Sequence, residues 1–476
     1  MNRELGQLHV YFLPMMAPGH MIPMIDIARK FANHGMRSTI VTTHLNAKPF
    51  SKTIERDREN GNEINITLFK FPCREAGLPE GCESLSSTTT SEMSLNFHKA
   101  LGLIQEPVQK ILQEGQPDCI VAGAYFWWAN DIAVKLNIPK LSFYGTGFFP
   151  WCILHSLREH KPHENVRSDS EEFIIPGLPD AIKTSRRQIP NQIKDGDNHP
   201  MAEMITKVLN AEMSSYGLIV NSFYELEPTY AKHYKEVHGR KAWHIGPVSL
   251  FNKSYEDKTH RGKEATSSDH NCLSWLNSKK PNSVLFVCFG SMSLFTKAQL
   301  FEIAEGLEAS GQQFIWAVRE NAKDVPEEFE RRMEGRGLII KGWAPQVLIL
   351  DHEAIGGFIT HCGWNSLLEG VAAGVPMVTW PLSAEQFYNE KLVVEVLKTG
   401  IPVGAQEWTE RTKDSEPIKG ENIENAVVQL MLGEESETIR SRARKLGDMA
   451  KRAVEKGGSS DTELNSLLEE IRVYHL

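Results

Sequence analysis

The sequence has few of the features that mark secreted, membrane-spanning or metal-binding proteins. Its seven cysteines are scattered over 476 residues without a C-x-x-C pair, which favours a reducing compartment over a disulfide framework or a zinc site. No run of about 18 apolar residues is present, so no membrane span is predicted. The apolar run at residues 8–16 follows Glu4 and lacks a cleavage-site pattern, so we interpret it as a strand and expect a cytoplasmic protein.

The sequence also lacks long runs of residues that carry the same charge. The net charge is −9 and no cluster of lysine and arginine stands out, which argues against a nucleic acid or an anionic membrane as partner. No group of histidine and acidic residues has metal-ligand spacing, so no metal is predicted. The pattern G-x-G-x-x-G is missing after either opening strand, which disfavours a nucleotide-dependent dehydrogenase.

What is present is a repeated alternation of apolar strands and helices. The first half offers apolar strands at residues 9–14, 37–43, 65–71, 119–125, 139–145 and 217–223. Among the helices between them, one is predicted from Pro23 to about Asn33 and another near 94–113. A polar stretch at 247–282 interrupts the pattern, which restarts with a strand at 284–291 and a helix at 296–310. The alternation predicts mostly parallel α/β sheets in two Rossmann-like domains that face each other across a cleft. We assign residues 1–246 to the first domain, 247–282 to a linker and 283–456 to the second domain.

The most informative stretch covers residues 343–386. It contains an apolar strand at 354–360, a glycine loop and a helix at about 365–373 that Gly374 ends. The free N–H groups at such a helix start suit a phosphate, and His361, Asn365 and Ser366 would add donors. Ser366 and Glu369 also match a capping box, which would need no ligand.

This stretch resembles, almost from end to end, the signature box of the plant secondary-product (family 1) UDP-glycosyltransferases. It has the family length of 44 residues, opens with W-A-P-Q, carries H-C-G-W-N-S and closes with E-Q. The resemblance implies the GT-B fold, with a first domain that binds the acceptor and a second domain that binds the UDP-sugar. It also implies that the last segment, 457–476, packs back on the first domain.

The resemblance assigns donor-binding roles residue by residue. Trp343 would stack on uracil and Ala344 would meet the edge of this base, while Gln346 and Glu369 would bind the ribose hydroxyls. The residues that would hold the pyrophosphate are Ser291, His361, Gly363, Asn365 and Ser366. The residues that would bind the sugar are Trp364, Glu385 and Gln386. In this family, a glutamine at the end of the box accompanies UDP-glucose as the cosubstrate. The resemblance implies no cofactor.

His20 is the candidate general base. It lies in G-H-x-x-P after the first strand, where the family has its base, and a neutral imidazole there would take the proton of an acceptor hydroxyl. The family orients this base with an aspartate, but Gly123 stands at that position here. Asp131 and Asp26 lie on helices at offsets that point elsewhere, and a carboxylate from the loop 80–92 remains possible.

Three explanations of Gly123 stay open. The residue is an engineered substitution for aspartate, the natural enzyme works with His20 alone on an acidic or soft nucleophile, or the chain is a catalytically weak UDP-sugar-binding homologue. A UDP-sugar epimerase with the same architecture is a further alternative, which the aromatic-rich first domain disfavours.

The sequence indicates the acceptor pocket less clearly than the donor site. Aromatic clusters lie near strand ends of the first domain, and we expect most of these side chains to belong to the hydrophobic core. Some side chains there would instead line an apolar pocket, namely Met16, Met93, Tyr125 and Phe126. The first half looks most like the branch that glycosylates triterpenoids, steroidal sapogenins and flavonoids. We therefore expect a monomeric, inverting O-glucosyltransferase acting on a hydroxyl of a small lipophilic plant metabolite.

Overall fold

The computed structural model describes residues 7–259, 261–262, 267–319, 325, 327–409 and 416–475. Its two large sheets are entirely parallel, one in each half of the chain. The predicted α/β architecture with two Rossmann-like domains is therefore confirmed.

The first sheet has seven strands in the order β3-β2-β1-β4-β5-β8-β9. The strands of the first half are β1 His9–Leu13, β2 Arg37–Thr43, β3 Ile64–Phe69, β4 Cys119–Gly123, β5 Lys140–Phe143, β6 Glu172–Ile174, β7 Lys183–Ser185, β8 Gly217–Val220 and β9 Ala242–His244. Strands β6 and β7 form a separate antiparallel pair. Because the order reverses between β1 and β4, the carboxyl ends of these two strands open a crevice where a ligand can bind.

Helices cover both faces of this sheet. They are α1 Pro18–Asn33, α2 His44–Ala47, α3 Ser51–Glu59, α4 Ser91–Leu103, α5 Gln105–Gly115, α6 Ala129–Leu136, α7 Phe148–His160, α8 Asn191–Lys194, α9 Ala202–Met213 and α10 Pro228–His238. The single helix predicted near 94–113 is wrong, since α4 ends at Leu103 and α5 begins at Gln105. Pro107 has no N–H to donate to the carbonyl of Leu103, which explains the break.

The prediction that α1 begins at Pro23 is also wrong. The helix begins at Pro18, so His20 lies in its first turn and Pro23 lies inside the helix. Inside a helix a proline cannot donate to the carbonyl four residues earlier, and its ring crowds that carbonyl. That carbonyl belongs to Gly19.

The second sheet has six strands in the order β12-β11-β10-β13-β14-β15. The segment between the sheets carries helices α11 Tyr255–Thr259 and α12 Ser267–Asn277. The strands are β10 Val284–Cys288, β11 Gln313–Val318, β12 Gly337–Lys341, β13 Ile355–Thr360, β14 Met377–Thr379 and β15 Gly400–Pro402. The strands β10 and β13 are neighbours, and their carboxyl ends lie side by side.

The remaining helices pack on this sheet, except the last. They are α13 Lys297–Ala309, α14 Glu327–Arg332, α15 Gln346–Leu350, α16 Trp364–Ala373, α17 Gln386–Lys391, α18 Gly420–Leu432, α19 Ser436–Val454 and α20 Ser459–Tyr474. Helix α20 returns to the first sheet, where Leu467 and Ile471 join the core around β1. In the described ranges, no helix combines the length and the apolar character that a membrane crossing requires.

Candidate active site

The loop between β13 and α16 holds His361 against two glycines. A Cβ on Gly290 would lie 2.7 Å from the His361 ring, and a Cβ on Gly363 would come closer still. Gly290 also has φ +72°, a conformation that side-chain-bearing residues rarely adopt. Because both neighbours lack side chains, the ring lies directly beside the N-terminus of α16.

The His361 ring is buried, and this burial lowers the pKa of the ring to about 4. The imidazole is therefore neutral at neutral pH, and its Nδ1 has no hydrogen-bond partner among the described atoms. A neutral ring can donate one N–H to a phosphate oxygen, while the N–H groups and the dipole of α16 supply the remaining positive potential.

The capping-box interpretation of Ser366 and Glu369 is wrong. The N-cap of α16 is Gly363, and no side chain caps the helix. Instead Gln346 binds both residues, since its Nε2 lies 3.1 Å from Ser366 Oγ and 2.7 Å from Glu369 Oε2. The two residues predicted to bind the ribose, Gln346 and Glu369, are thus connected to the predicted phosphate ligand Ser366.

The other predicted donor residues follow carboxyl ends of neighbouring strands. Ser291 comes after β10, and Trp343 with Ala344 comes after β12. Ser291 and Trp343 are half-buried, while Ala344 is buried. All three therefore lie at the same edge of the sheet as His361, although their contacts with a nucleotide stay predictions.

The residues predicted to meet the sugar are fixed by bonds of their own. The side-chain oxygen of Gln386 accepts from the backbone N–H groups of Leu382 and Ser383, each at 2.9 Å, which leaves its Nε2 to reach a hydroxyl. Burial raises the pKa of Glu385, and Asn389 donates to its carboxylate at 3.3 Å. Asn389 also donates to the Cys362 carbonyl at 2.8 Å, so it ties the glycine loop to Glu385.

The Trp364 side chain points into the first domain. Its Nε1 donates to the Asn221 carbonyl at 2.7 Å, and its ring lies against Gly147. Beside it, the Glu227 carboxylate accepts from the N–H groups of Phe148 and Phe149, at 3.0 and 2.7 Å, and so caps α7. Because the indole is occupied, a sugar would meet the backbone of Trp364. No local sequence pattern signals the roles of Asn221, Glu227 and Asn389, which depend on contacts between distant segments.

His20 lies next to the donor loop, the glycine loop 361–363 that precedes α16. The Gly19 carbonyl, which Pro23 cannot bond, accepts from Asn365 Nδ2 at 2.7 Å. This bond joins the first turn of α1 to the start of α16. The predicted base and a predicted phosphate ligand are therefore brought together.

Among the described residues, the His20 ring has no carboxylate partner. Its Nδ1 is buried without a hydrogen bond, and burial lowers the pKa of the ring to about 4. Asp131 is exposed, and Asp26 instead accepts from Asn252 and Arg261. In the loop 80–92, Glu80 pairs with Arg74 at 3.3 Å, Glu83 accepts from the Leu45 N–H at 3.1 Å and Glu92 is exposed. The carboxylates that the sequence offered as substitutes are thus placed elsewhere.

Gly123 ends β4 in close contact with the loop that follows β1. A Cβ on this residue would lie 2.9 Å from the backbone nitrogen of Met15 and 3.2 Å from its Cβ. A backbone atom cannot move aside as a flexible side chain can. The fold around Gly123 is therefore fitted to glycine.

The residues predicted for the acceptor pocket divide into two pairs. Met16 and Phe126 are 1% and 3% exposed and belong to the core cluster around α4. Met93 and Tyr125 are only partly buried against this cluster, and Tyr125 has φ +71°. Among the described residues, no group of three or more potential metal ligands is present.

Comparisons with known proteins identify the family of the chain. The family model described as "UDP-glucoronosyl and UDP-glucosyl transferase" matches residues 103–412. The chain is 54% identical to UDP-glucose flavonoid 3-O-glucosyltransferase 7 of Fragaria ananassa, over 99% of this chain and 97% of that protein. It is 51% identical to scopoletin glucosyltransferase of Nicotiana tabacum, over 99% of each.

Among solved structures, UGT73P12 of Glycyrrhiza uralensis, complexed with glycyrrhetinic acid 3-O-monoglucuronide, superimposes with a TM-score of 0.92. It is 41% identical, over 98% of this chain and 96% of that one. The family model covers more than half of the chain, and the relatives are this similar over nearly its full length. These two findings establish the family. The chain belongs to the plant family 1 UDP-glycosyltransferases and has their GT-B fold.

Proposed function

We propose that this enzyme transfers glucose from UDP-glucose to a phenolic hydroxyl of a small plant metabolite, with His20 as the base and inversion at the anomeric carbon. The observation that carries the proposal is the bond between Asn365 and the Gly19 carbonyl, 2.7 Å long. It places the His20 turn directly at the start of α16, where the pyrophosphate would bind. The proposed base and the proposed leaving-group site therefore share one cleft.

The reaction is a single displacement. Because Nδ1 of His20 is the buried nitrogen, Nε2 accepts the proton of the acceptor hydroxyl. The acceptor oxygen forms a bond to the anomeric carbon as the bond from this carbon to the UDP oxygen breaks. The negative charge that grows on UDP is stabilised by the N-terminus of α16 and by His361, Asn365 and Ser366.

The choice of a phenolic acceptor follows from the weakness of the base. Burial without a partner lowers the pKa of His20 to about 4, so the ring is a poor proton acceptor. A phenolic hydroxyl has a pKa near 10, as tyrosine does, and is therefore a far stronger acid than an aliphatic alcohol. A weak base therefore favours the first class over the second.

Two relatives support this choice by their printed names. One acts on a flavonoid and another on scopoletin, whereas the structural neighbour UGT73P12 holds a triterpenoid glucuronide. The triterpenoid or steroidal acceptor remains the second candidate, because UGT73P12 superimposes closely over nearly the whole chain.

The test is UDP release from UDP-glucose over matched panels of flavonoids, coumarins, triterpenoids and sterols. We expect phenols to be glucosylated, with kcat/KM rising as the pKa of the phenol falls, and triterpenols to be at least about a hundredfold slower. His20→Ala should lower kcat by about a hundredfold or more while UDP still binds in calorimetry.

The control is Val134→Ala on α6 of the first domain, where the side chain is 80% exposed. Faster turnover of triterpenols than of phenols would reject the phenolic acceptor. Binding of UDP without turnover of any acceptor would favour the alternative of a catalytically weak UDP-sugar-binding protein.

A further inference from the structure

Arg261, in the segment between the two sheets, joins a helix of each domain. Its Nε donates to Asp26 Oδ2 on α1 at 2.9 Å, and its Nη1 donates to the Glu369 carboxylate on α16. None of the three side chains is more than 8% exposed. The guanidinium thus lies buried between two carboxylates that belong to different domains.

Both carboxylates have a second donor on their other oxygen. Asn252 donates to Asp26 Oδ1 at 2.9 Å, and Gln346 donates to Glu369 Oε2 at 2.7 Å. Each carboxylate is therefore held from two sides in one orientation. A planar guanidinium with several N–H groups can bridge two acceptors in this way, whereas the ammonium of a lysine offers only a point charge.

The residue after Arg261 lies against the proposed uracil site. Gly262 has φ +90°, and a Cβ there would lie 2.7 Å from Ile22 and 2.8 Å from the Trp343 ring. Only a glycine lets the backbone pass this closely between α1 and Trp343. The Arg261–Gly262 dipeptide therefore borders the ribose and uracil side of the donor site.

We propose that Arg261 is a positioning residue for the sugar donor. It holds the Glu369 carboxylate in the orientation that receives the ribose hydroxyls. It also links this carboxylate to α1, the helix whose first turn contains His20. The inference rests on the proposed role of Glu369 as a ribose acceptor. Each carboxylate oxygen keeps a second lone pair, so the ribose can bind without displacing Arg261.

The advantage is preorganisation. A glutamate that is already held in one rotamer loses no side-chain freedom when the donor binds, so more of the interaction energy goes into affinity. The ion pair also removes the penalty that a buried, unpaired carboxylate would otherwise cause. The effect should therefore appear in donor binding and not in the chemical step.

The experiment measures KM for UDP-glucose, kcat and UDP binding in the full-length enzyme. Variants are Arg261→Ala, Arg261→Lys, Glu369→Ala and the double variant Arg261→Ala with Glu369→Ala. Arg261→Ala should raise the donor KM about tenfold, as expected for losing a hydrogen bond to a charged group, with kcat within about twofold. The double variant should match Glu369→Ala within about twofold, because Arg261 acts through Glu369.

Lys258→Ala is the matched control. It removes another ion pair between the same segment and the second domain, to Asp351 at 2.6 Å, and should leave the donor KM unchanged. If Arg261→Ala does not fold, Arg261→Lys keeps a positive charge between the carboxylates and should still raise the donor KM about threefold.

An unchanged donor KM in a folded Arg261 variant overturns the proposal. So does an Arg261 effect that persists in the Glu369→Ala background, because it would be a general structural effect. If Glu369→Ala alone leaves the donor KM unchanged, the ribose role of Glu369 is rejected. That result concerns the proposed function and is distinguishable from a failure of Arg261.

Discussion

At the scale of single residues, the chemistry depends on what surrounds the His20 ring. Its Nδ1 is buried and meets no acceptor in the part of the chain that the structure describes, so the imidazolium formed during proton transfer gains no compensating bond. A carboxylate at this nitrogen would fix the tautomer and stabilise the charged ring. Its absence lowers the basicity of the ring and restricts the acceptors that His20 can activate.

The pH profile should report this environment. Burial lowers the pKa of His20 to about 4, so the neutral, active ring predominates above that pH and protonation removes the base only below it. We expect kcat/KM for a phenol that ionises well above the range to stay flat on the acid side, from about pH 7.5 to pH 5.5, in initial-rate measurements.

A fall in kcat/KM around pH 6.5, the ordinary value for histidine, would contradict this expectation. It would mean that a carboxylate or a phosphate of the donor approaches His20 in the working complex. Thermal unfolding at each pH serves as the control, because a buried neutral histidine also makes the fold less stable as pH falls from its ordinary pKa toward the folded one.

Gly123→Asp should not create a better enzyme. Its Cβ would lie 2.9 Å from the backbone nitrogen of Met15, so the loop that leads to His20 would have to shift. We expect the free energy of unfolding to fall by about 1 to 3 kcal/mol and kcat/KM to fall as well. Gly123→Ala, which introduces only the Cβ, should show a similar loss of stability in denaturant titrations.

A different pattern would restore the explanation that Gly123 replaces a needed aspartate. That pattern is a gain in kcat of an order of magnitude or more for Gly123→Asp, without a gain for Gly123→Ala. The loop after β1 would then have room to adjust, and the carboxylate would act on His20.

At the scale of elements, α20 stabilises the first domain although it comes last in the chain. Leu464, Leu467, Leu468 and Ile471 are buried with residues of β1 and α1. Polar contacts add to this, since the Ser460 hydroxyl donates to the Gly246 carbonyl and Lys241 pairs with Glu470 at 2.6 Å. Helix α20 therefore links the chain terminus to the sheet that presents His20.

Leu467→Ala should lower the free energy of unfolding by about 2 to 5 kcal/mol, because it leaves a cavity in a core where the side chain is fully buried. Val473→Ala on the same helix is the control, since Val473 is 56% exposed and should change stability by less than about 0.5 kcal/mol. Equal effects of the two substitutions in urea titrations would show that α20 does not pack as described.

At the scale of the whole molecule, the domains meet through a continuous apolar cluster. The cluster runs from Phe148 and Phe149 of α7 through Trp364 to Phe286 and Phe358 on the second sheet. Polar bonds flank it, from Trp364 to Asn221 and from Asn365 to Gly19. The relative placement of His20 and the donor loop therefore depends on this interface.

Gly147→Ala should disturb that interface. A Cβ there would lie 2.7 Å from the Glu227 carboxylate and closer still to the Trp364 ring, so the indole would be displaced. We expect kcat/KM to fall about tenfold or more and the free energy of unfolding to fall by about 1 to 3 kcal/mol. Gly102→Ala is the control, because its Cβ would meet only Trp127, at an ordinary 3.7 Å.

If both substitutions leave activity and stability unchanged, Trp364 does not occupy this position in the working enzyme. Small-angle scattering would extend the test, since opening of the domain interface by the displaced indole should increase the radius of gyration of the Gly147→Ala variant relative to the Gly102→Ala variant. Equal radii with reduced activity would place the effect locally, at the α7 cap formed by Glu227.

The sequence by itself determined the local elements and the family. Alternating apolar strands and helices predicted two parallel sheets, and the stretch 343–386 indicated the donor-binding residues, because strand, glycine loop and helix start are adjacent in the chain. It did not determine the start of α1, since Pro23 resembled a helix N-terminus, or the cap of α16, since Ser366 and Glu369 fitted a local pattern that Gln346 outcompetes.

Only the tertiary structure decided which distant groups meet. The links from Asn365 to Gly19 and from Arg261 to Asp26 and Glu369 join residues more than a hundred positions apart. The lack of space at Gly123 depends on how closely β4 approaches the loop after β1. The periodicity of a segment reports which of its faces is buried but not which side chain lies opposite, and that contact decides how a site orients and ionises its residues.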